Sequence, residues 1–438
     1  MDLIFEKSRP GRQGCAIPAG DVPAVNPREV IPPSLLRDEL PLPEVAEVDL
    51  IRHYTALSRR NFGVDVGFYP LGSCTMKYNP KINEDVAKFP GFTGLHPYAP
   101  VAFSQGSLQL MYELRQYLSE IFGMADFTLQ PAAGAHGELT GIMIFKKYFE
   151  KTGEKRTKIL IPDAAHGTNP ASGALCGYRT LTVRSNADGG VDIDHLASLM
   201  SDDTAGLMLT NPNTLGLFER NIEKVSDIIH NKGGLLYGDG ANANAFLGKV
   251  RPGDLGFDVI QLNLHKTFST PHGCGGPGSG PVGVGKKLVD FLTIPRVIKT
   301  DEGFAWSSEY PDAIGRVRTF FGNFNVMVKA YAYIRTLGPA GLKRAAEIAV
   351  LNANYIKARL QPYYDLSFDR PCMHECVFSG TRQVRESGVH TSDIAKRLLD
   401  YGYHPPTISF PIIAPEATII ETNENESMRL ANDSTTAA

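Results

Sequence analysis

From Phe103 onward, short apolar runs alternate with stretches whose apolar residues recur at helical spacing. Over Ser104–Gly123, the residues Leu108, Met111, Leu114, Leu118 and Ile121 share one side of a 3.6-residue period. That pattern stops on a glycine, which predicts a helix. A turn is expected at Gln130–His136 and a second helix over roughly Gly137–Lys151. The runs Lys158–Ile161, Arg179–Val183, Gly206–Leu209, Gly234–Tyr237 and Val259–Leu264 are short and apolar, as strands are. Helical patterns at Ile193–Met200 and Ile222–Lys232 separate them. Such alternation predicts an α/β fold with a doubly wound, mostly parallel sheet.

Outside this block the pattern changes. Proline recurs through residues 1–102, and few periodic runs survive there. Phe68–Leu71 and Leu95–Tyr98 supply apolar anchors, so an ordered N-terminal arm is expected. The large domain then covers 103–330, with a glycine-rich, less regular stretch between Gly275 and Phe320. Amphipathic helices near Asn323–Leu337 and Pro339–Leu360 lead into strand signals at Met373–Phe378 and Thr407–Ile413, around a helix at Thr391–Tyr401. Residues 331–422 therefore predict a smaller C-terminal α+β domain. The polar tail 423–438 is expected to be disordered.

Composition narrows the function classes. The 438 residues are 42% hydrophobic and 21% charged, enough for a large core and too apolar for wholesale disorder. A net charge of −3 excludes the basic excess of a dedicated nucleic-acid binder. No stretch reaches 18 uninterrupted apolar residues, so no membrane span is expected. The opening MDLIFEKSRPGRQG has no apolar core of a signal peptide. Cys15, Cys74, Cys176, Cys274, Cys372 and Cys376 are scattered. Only Cys372 and Cys376 are close, around His374, and no second ligand pair suggests zinc. Free thiols in a reducing cytoplasm are the expectation.

The chemistry gathers just past the strand ends. Asp163-Ala-Ala-His166-Gly-Thr168, Thr210-Asn211-Pro212-Asn213, Gly238-Asp239-Gly240-Ala241 and His265-Lys266-Thr267 each follow a predicted strand. In an open parallel sheet these carboxyl ends share one rim, where ligands bind. Gln130–Gly137 lacks bulk and runs into a helix, whose free N–H groups at Ala133, Gly134 and Ala135 suit a phosphate. Asp239 offers an anion for a protonated ring nitrogen, and Lys266 an amine for a Schiff base. Any one of these residues alone reads as a turn former or a surface amine. Together they describe a pyridoxal phosphate site, with the cofactor covalent at Lys266. His136 is placed to stack on the ring, Ala241 to leave room on its other face, His265 to meet the phosphate and Asn211 to reach the ring hydroxyl. His166 and Thr168 fall on the substrate side. Gly278–Gly283 matches a dinucleotide fingerprint in letters, but without a leading strand or a following helix it is set aside.

Pro131–Glu138, Thr210–Gly216, Asp239–Asn242, Asn263–Phe268, Phe68–Tyr78 and His272–Gly280 together resemble glycine decarboxylase, the P-protein of the glycine cleavage system, in its two-chain, subunit 2 form. The resemblance covers roughly residues 3–420 and implies a fold-type I enzyme with Lys266 as its Schiff-base lysine. It implies decarboxylation of glycine and transfer of the aminomethyl group to the lipoyl arm of an H-protein. A homologous subunit 1 chain would complete a heterotetramer. Either His136 or His166 would carry protons. Ala417–Ser427 only loosely echoes the glutamate- and threonine-rich segment of that family, which puts the small domain, not the cofactor site, in question. Competing readings are another fold-type I enzyme acting on a small amino acid, and a non-catalytic partner subunit.

Overall fold

The computed structural model describes residues 1–272, 278–427 and 432. The chain divides into two compact units at Val66/Gly67, inside the proline-rich stretch. Residues 67–102 thus belong to the second unit, with the α/β block, and are not one arm with residues 1–66. The first unit holds short turns of helix and one longer helix, Glu47–Ser58. Glu44 ties its chain together by accepting from the Gly11 N–H at 2.6 Å, and Arg12 pairs with Asp49 at 2.7 Å.

In the second unit, seven strands form one sheet: β1 (Asp126–Thr128), β2 (Lys158–Pro162), β3 (Arg179–Val183), β4 (Thr204–Thr210), β5 (Leu235–Gly240), β6 (Val259–Leu262) and β7 (Val282–Val284). Their order is β1-β7-β6-β5-β4-β2-β3, parallel from β6 through β3, with β7 antiparallel to both of its neighbours. Alternate residues of each strand feed separate layers. Ile159, Ile161, Met208 and Tyr237 pack with Ile142, Phe145 and Phe149 of helix Gly134–Thr152. Leu160, Leu207 and Leu236 pack with Leu196, Val225 and Ile229 of helices Ile193–Leu199 and Ile222–His230. Phe145 is fully buried, worth about 1.5–3 kcal/mol of transfer free energy. This is the α/β, fold-type I architecture expected from the alternation.

Several elements differ from the sequence pattern. The second helix starts at Gly134, so the expected turn supplies its first turn. The irregular region contains a hairpin, β8 (Arg296–Thr300) and β9 (Gly303–Ser307). The long helical stretch Phe324–Leu360 breaks at Gly338 (φ 59°, ψ −176°), just before Pro339. The small sheet has four strands, β10 (Asp365–Leu366), β11 (Glu375–Ser379), β12 (Thr407–Ile408) and β13 (Ala417–Glu421), ordered β10-β11-β13-β12. The strand expected over Thr407–Ile413 is therefore only two residues long. Ala417–Glu421 is one of the two interior strands and is wholly buried. The glycine-rich match at Gly278–Gly283 runs into the antiparallel β7 and then a 3₁₀ turn at Lys286–Phe291, which is no dinucleotide geometry. Residues 273–277, with Cys274, and the tail beyond 427 except Asn432 lie outside the described residues. Among the described residues no helix is long and apolar enough to cross a membrane.

Candidate active site

Because β2, β4, β5 and β6 run parallel, their carboxyl ends open on one rim, and the chain after β1 enters helix Gly134–Thr152 there. Ala133 is extended (φ −163°, ψ 179°) and no side chain caps the helix. The first N–H groups and the positive end of a 19-residue helix are therefore left for an anion. Glycine allows the close seating: a Cβ on Gly134 would lie 2.8 Å from the Asn263 amide, and one on Gly137 would lie 2.6 Å from Gln261 Cγ. His136, in the first turn, accepts from the Ala132 N–H through Nδ1 at 3.1 Å. Burial, then Arg318, lowers its pKa, so the ring is neutral at neutral pH.

Asp239, 1% exposed, ends β5. Its Oδ1 accepts from the Ala241 N–H at 3.0 Å, and its Oδ2 from Thr210 Oγ1 at 3.2 Å and Asn169 Nδ2 at 3.4 Å. Three donors fix this carboxyl. Lys266 sits in the single helical turn Leu264–Thr267 after β6, and its Nζ donates to the Ser73 carbonyl at 2.9 Å. Asp239 and Lys266 both act electrostatically on Glu138 and on His166, so these four residues share one local field. Burial and Asp239 push Glu138 up to about 7. His166 Nδ1 meets Ser73 Oγ at 3.3 Å, while Nε2 is sealed from solvent without a hydrogen bond of normal geometry. Burial lowers the His166 pKa, against the pull of Asp239.

The other residues named from the sequence make contacts within the protein. Asn211 directs Oδ1 to the Glu219 N–H at 3.1 Å, holding the loop after β4. His265 accepts from the Ser279 N–H at 3.3 Å and meets Asn263 at 3.2 Å, and burial lowers its pKa to about 3. Thr168 donates to Glu138 at 2.8 Å. Glu138 itself was not anticipated: it reads as an ordinary polar position on a helix, and only the packing seals it beside Asp239. Ser73–Thr75 falls within the Phe68–Tyr78 motif, but its sequence carries no local sign that a distant lysine bonds the Ser73 carbonyl. Cys74 there is held protonated, pushed up to about 11 by burial against the opposing field of Lys266. A phosphate-bearing pyridine fits this set: an uncapped helix end, a buried acid and a primary amine open on one rim.

Comparison with known proteins extends these observations. Residues 345–434 match a family model for the glycine dehydrogenase C-terminal domain, and residues 137–276 one for aminotransferase class-V. The chain is 58% identical over 426 residues to a protein named "probable glycine dehydrogenase (decarboxylating) subunit 2" of Caldanaerobacter subterraneus subsp. tengcongensis, covering 97% of this chain and 88% of the relative. The protein of the same name in Halalkalibacterium halodurans is 59% identical over 427 residues, covering 97% and 87%. Among solved structures, an inhibitor-bound glycine decarboxylase (P-protein) superposes with a TM-score of 0.77 at 20% identity, covering 93% of this chain and 92% of that one. The cysteine desulfurase CsdA of Escherichia coli gives 0.66 at 16% identity, covering 87% and 96%.

Proposed function

The chain belongs to the glycine dehydrogenase (decarboxylating) subunit 2 family, and from that premise we propose that it decarboxylates glycine with pyridoxal phosphate and passes the aminomethyl group to the lipoyl arm of an H-protein. The observation that carries this reading is the gathering of Lys266, Asp239 and the uncapped end of helix Gly134–Thr152 on one rim. The Ala133, Gly134 and Ala135 backbone would hold the phosphate, with His265 beside it. Asp239 would hold the ring nitrogen, between His136 on one face and Ala241 on the other, with Asn211 toward the ring hydroxyl. Lys266 would carry the cofactor covalently. When bound, the cofactor supplies an electron sink for the pair left behind as CO2 departs.

The chain's own residues then position and move protons. Asp239, held by three donors, presents a fixed acceptor whose orientation needs no rearrangement during the reaction. Lys266 exchanges a proton at Nζ, with the Ser73 carbonyl as its resting acceptor. Of the two histidines, His166 is the better proton carrier: burial lowers its pKa toward the neutral ring, and it lies within the field of both Lys266 and Asp239. The retained Lys266 and Asp239 speak against a non-catalytic partner subunit. The working enzyme would be a heterotetramer with a homologous subunit 1 chain in the cytoplasm. Exposed apolar residues of the first unit, among them Phe5, Ile17, Val22 and Leu35, offer such a chain a surface to cover.

The test combines this chain with its subunit 1 and lipoylated H-protein and follows exchange of bicarbonate into glycine. Exchange that needs all three components is the expected result. Release of CO2 from another small amino acid, with none from glycine, would replace this reading with the broader one of a fold-type I decarboxylase.

A further inference from the structure

Three side chains of the small sheet are buried completely and have no part in the chemistry above. Glu375 on β11 is paired with Glu421 on β13 across the antiparallel ladder, and His374 precedes Glu375. Their exposures are 0%, 2% and 0%. Each carboxyl gives one oxygen to the same loop. Glu375 Oε2 accepts from the Ser73 N–H at 2.8 Å, and Glu421 Oε2 from the Cys74 and Thr75 N–H groups at 3.1 and 2.8 Å. The other oxygens, and both ring nitrogens of His374, have no hydrogen bond. His374 Nε2 stands 3.8 Å from Glu375 and 3.9 Å from Glu421.

The loop needs this support. Ser73 and Thr75 have φ of 64° and 48°, a left-handed conformation that costs an ordinary L-residue roughly 1–2 kcal/mol. Successive N–H groups in such a turn form a concave nest for an anion, and here the carboxyls fill it. The conformation aims the Ser73 carbonyl at Lys266 Nζ and the Ser73 hydroxyl at His166.

We propose that Glu375 and Glu421 are positioning residues for Lys266: by clamping Ser73–Thr75 they hold the carbonyl that orients the lysine amine for capture of the cofactor. The proposal rests on the pyridoxal phosphate reading of Lys266. Facing carboxyls this close cannot both be charged out of water. Burial and then the facing Glu421 push the Glu375 carboxyl well above the usual carboxylate range, which favours its protonated form, and burial lowers the His374 pKa. A metal on the free atoms fits less well, since tetrahedral ligands at about 2.1 Å stand about 3.4 Å apart, closer than the His374 separations.

The full chain, loaded with pyridoxal phosphate, is followed by cofactor retention, by borohydride trapping on Lys266 and by amide hydrogen exchange at 73–75. Glu421→Ala is expected to weaken retention about tenfold, the usual scale for losing hydrogen bonds to a charged group, and to deprotect the three amides. Glu421→Gln, which keeps a carbonyl acceptor, restores most of both. Glu375→Gln, isosteric with the protonated acid, stays within about twofold of the parent. Wild-type retention and protection in Glu421→Ala would overturn the clamp. So would a Glu421→Gln chain no better than Glu421→Ala, together with one equivalent of zinc or manganese in the parent protein. If Glu421→Ala does not fold, loss of amide protection in either glutamine variant overturns the proposal. Failure of the cofactor reading shows separately, as a parent chain with no label trapped on Lys266, and removes the proposal with it.

Discussion

Lys266 draws support from two sheets that treat buried polar atoms in opposite ways. In the seven-stranded sheet, polar groups stand at strand ends, where Asp239 accepts three hydrogen bonds and keeps acceptor capacity, and the helix N-terminus at Gly134 is left open. In the four-stranded sheet they stand within or beside the strands, where Glu375 and Glu421 turn inward onto the chain's own Ser73–Thr75 loop. The first arrangement leaves capacity for a ligand. The second uses one oxygen of each carboxyl to hold a strained turn.

Substitutions can separate the two roles. The largest effect is expected at Lys266→Ala, which should abolish the visible cofactor band and reduce glycine–bicarbonate exchange by more than about 1,000-fold; full exchange activity would remove Lys266 from the reaction. Asp239→Asn should retain the fold, hold the cofactor more weakly and lose about 100-fold in exchange. Near-parental turnover would make Asp239 a structural residue like Glu421.

The next prediction concerns stability rather than chemistry. Lys77 Nζ is buried on Glu424 at 2.8 Å, Asn244 at 2.9 Å and Tyr333 and the Thr267 carbonyl at 3.1 Å. Burial works to lower its pKa, but Glu424 and Tyr333 outweigh it and leave it raised. Lys77→Ala should strand the Glu424 charge and cost about 3–5 kcal/mol in denaturant unfolding. A loss under about 1 kcal/mol would mean that water replaces the ammonium. Gly216 (φ 72°) abuts the Glu375 carbonyl, which a Cβ would overlap. Gly216→Ala should cost about 1–3 kcal/mol and reduce amide protection at 73–75, linking the small sheet to the loop.

The smallest effect belongs to the surface pair His390–Glu416, 3.0 Å apart. Hydrogen bonding to Glu416 raises the His390 pKa above its ordinary 6.5. The pair therefore stabilises fully below 6.5, and that benefit fades as pH rises through the raised value. Glu416 is held at about 2, chiefly by the Thr391 N–H and then by His390, so its share persists above its ordinary 4.5 and fades as pH falls toward 2. His390→Ala should lower Tm slightly near pH 5.5, and not at all near pH 9.

What the sequence made legible follows the same division. The parallel strands announce themselves because both faces are buried and their ends carry Asp, Asn, His and Lys in clear contrast; β3 falls where its pattern predicts, and β2, β4, β5 and β6 differ only at their ends. Lys266 and Asp239 stood out because four strand ends carried reactive residues in matching positions. The small sheet gives no such contrast. Glu421 lies in the Ala417–Ser427 stretch that shows no strand pattern of its own, and only its pairing with Glu375 shows it to be core. The hairpin Arg296–Ser307 is mostly half-buried, which blurs its alternation. Roles that depend on contacts some 190 to 350 residues apart, such as Ser73 with Lys266 and Thr75 with Glu421, leave no periodic trace.

Reduction with borohydride in the presence of pyridoxal phosphate, followed by peptide mapping, bears most directly on the central claim. The label is expected on the Asn263–Phe268 peptide, at Lys266, with none on buried Lys77. A label on any other lysine, or none at all, would contradict it.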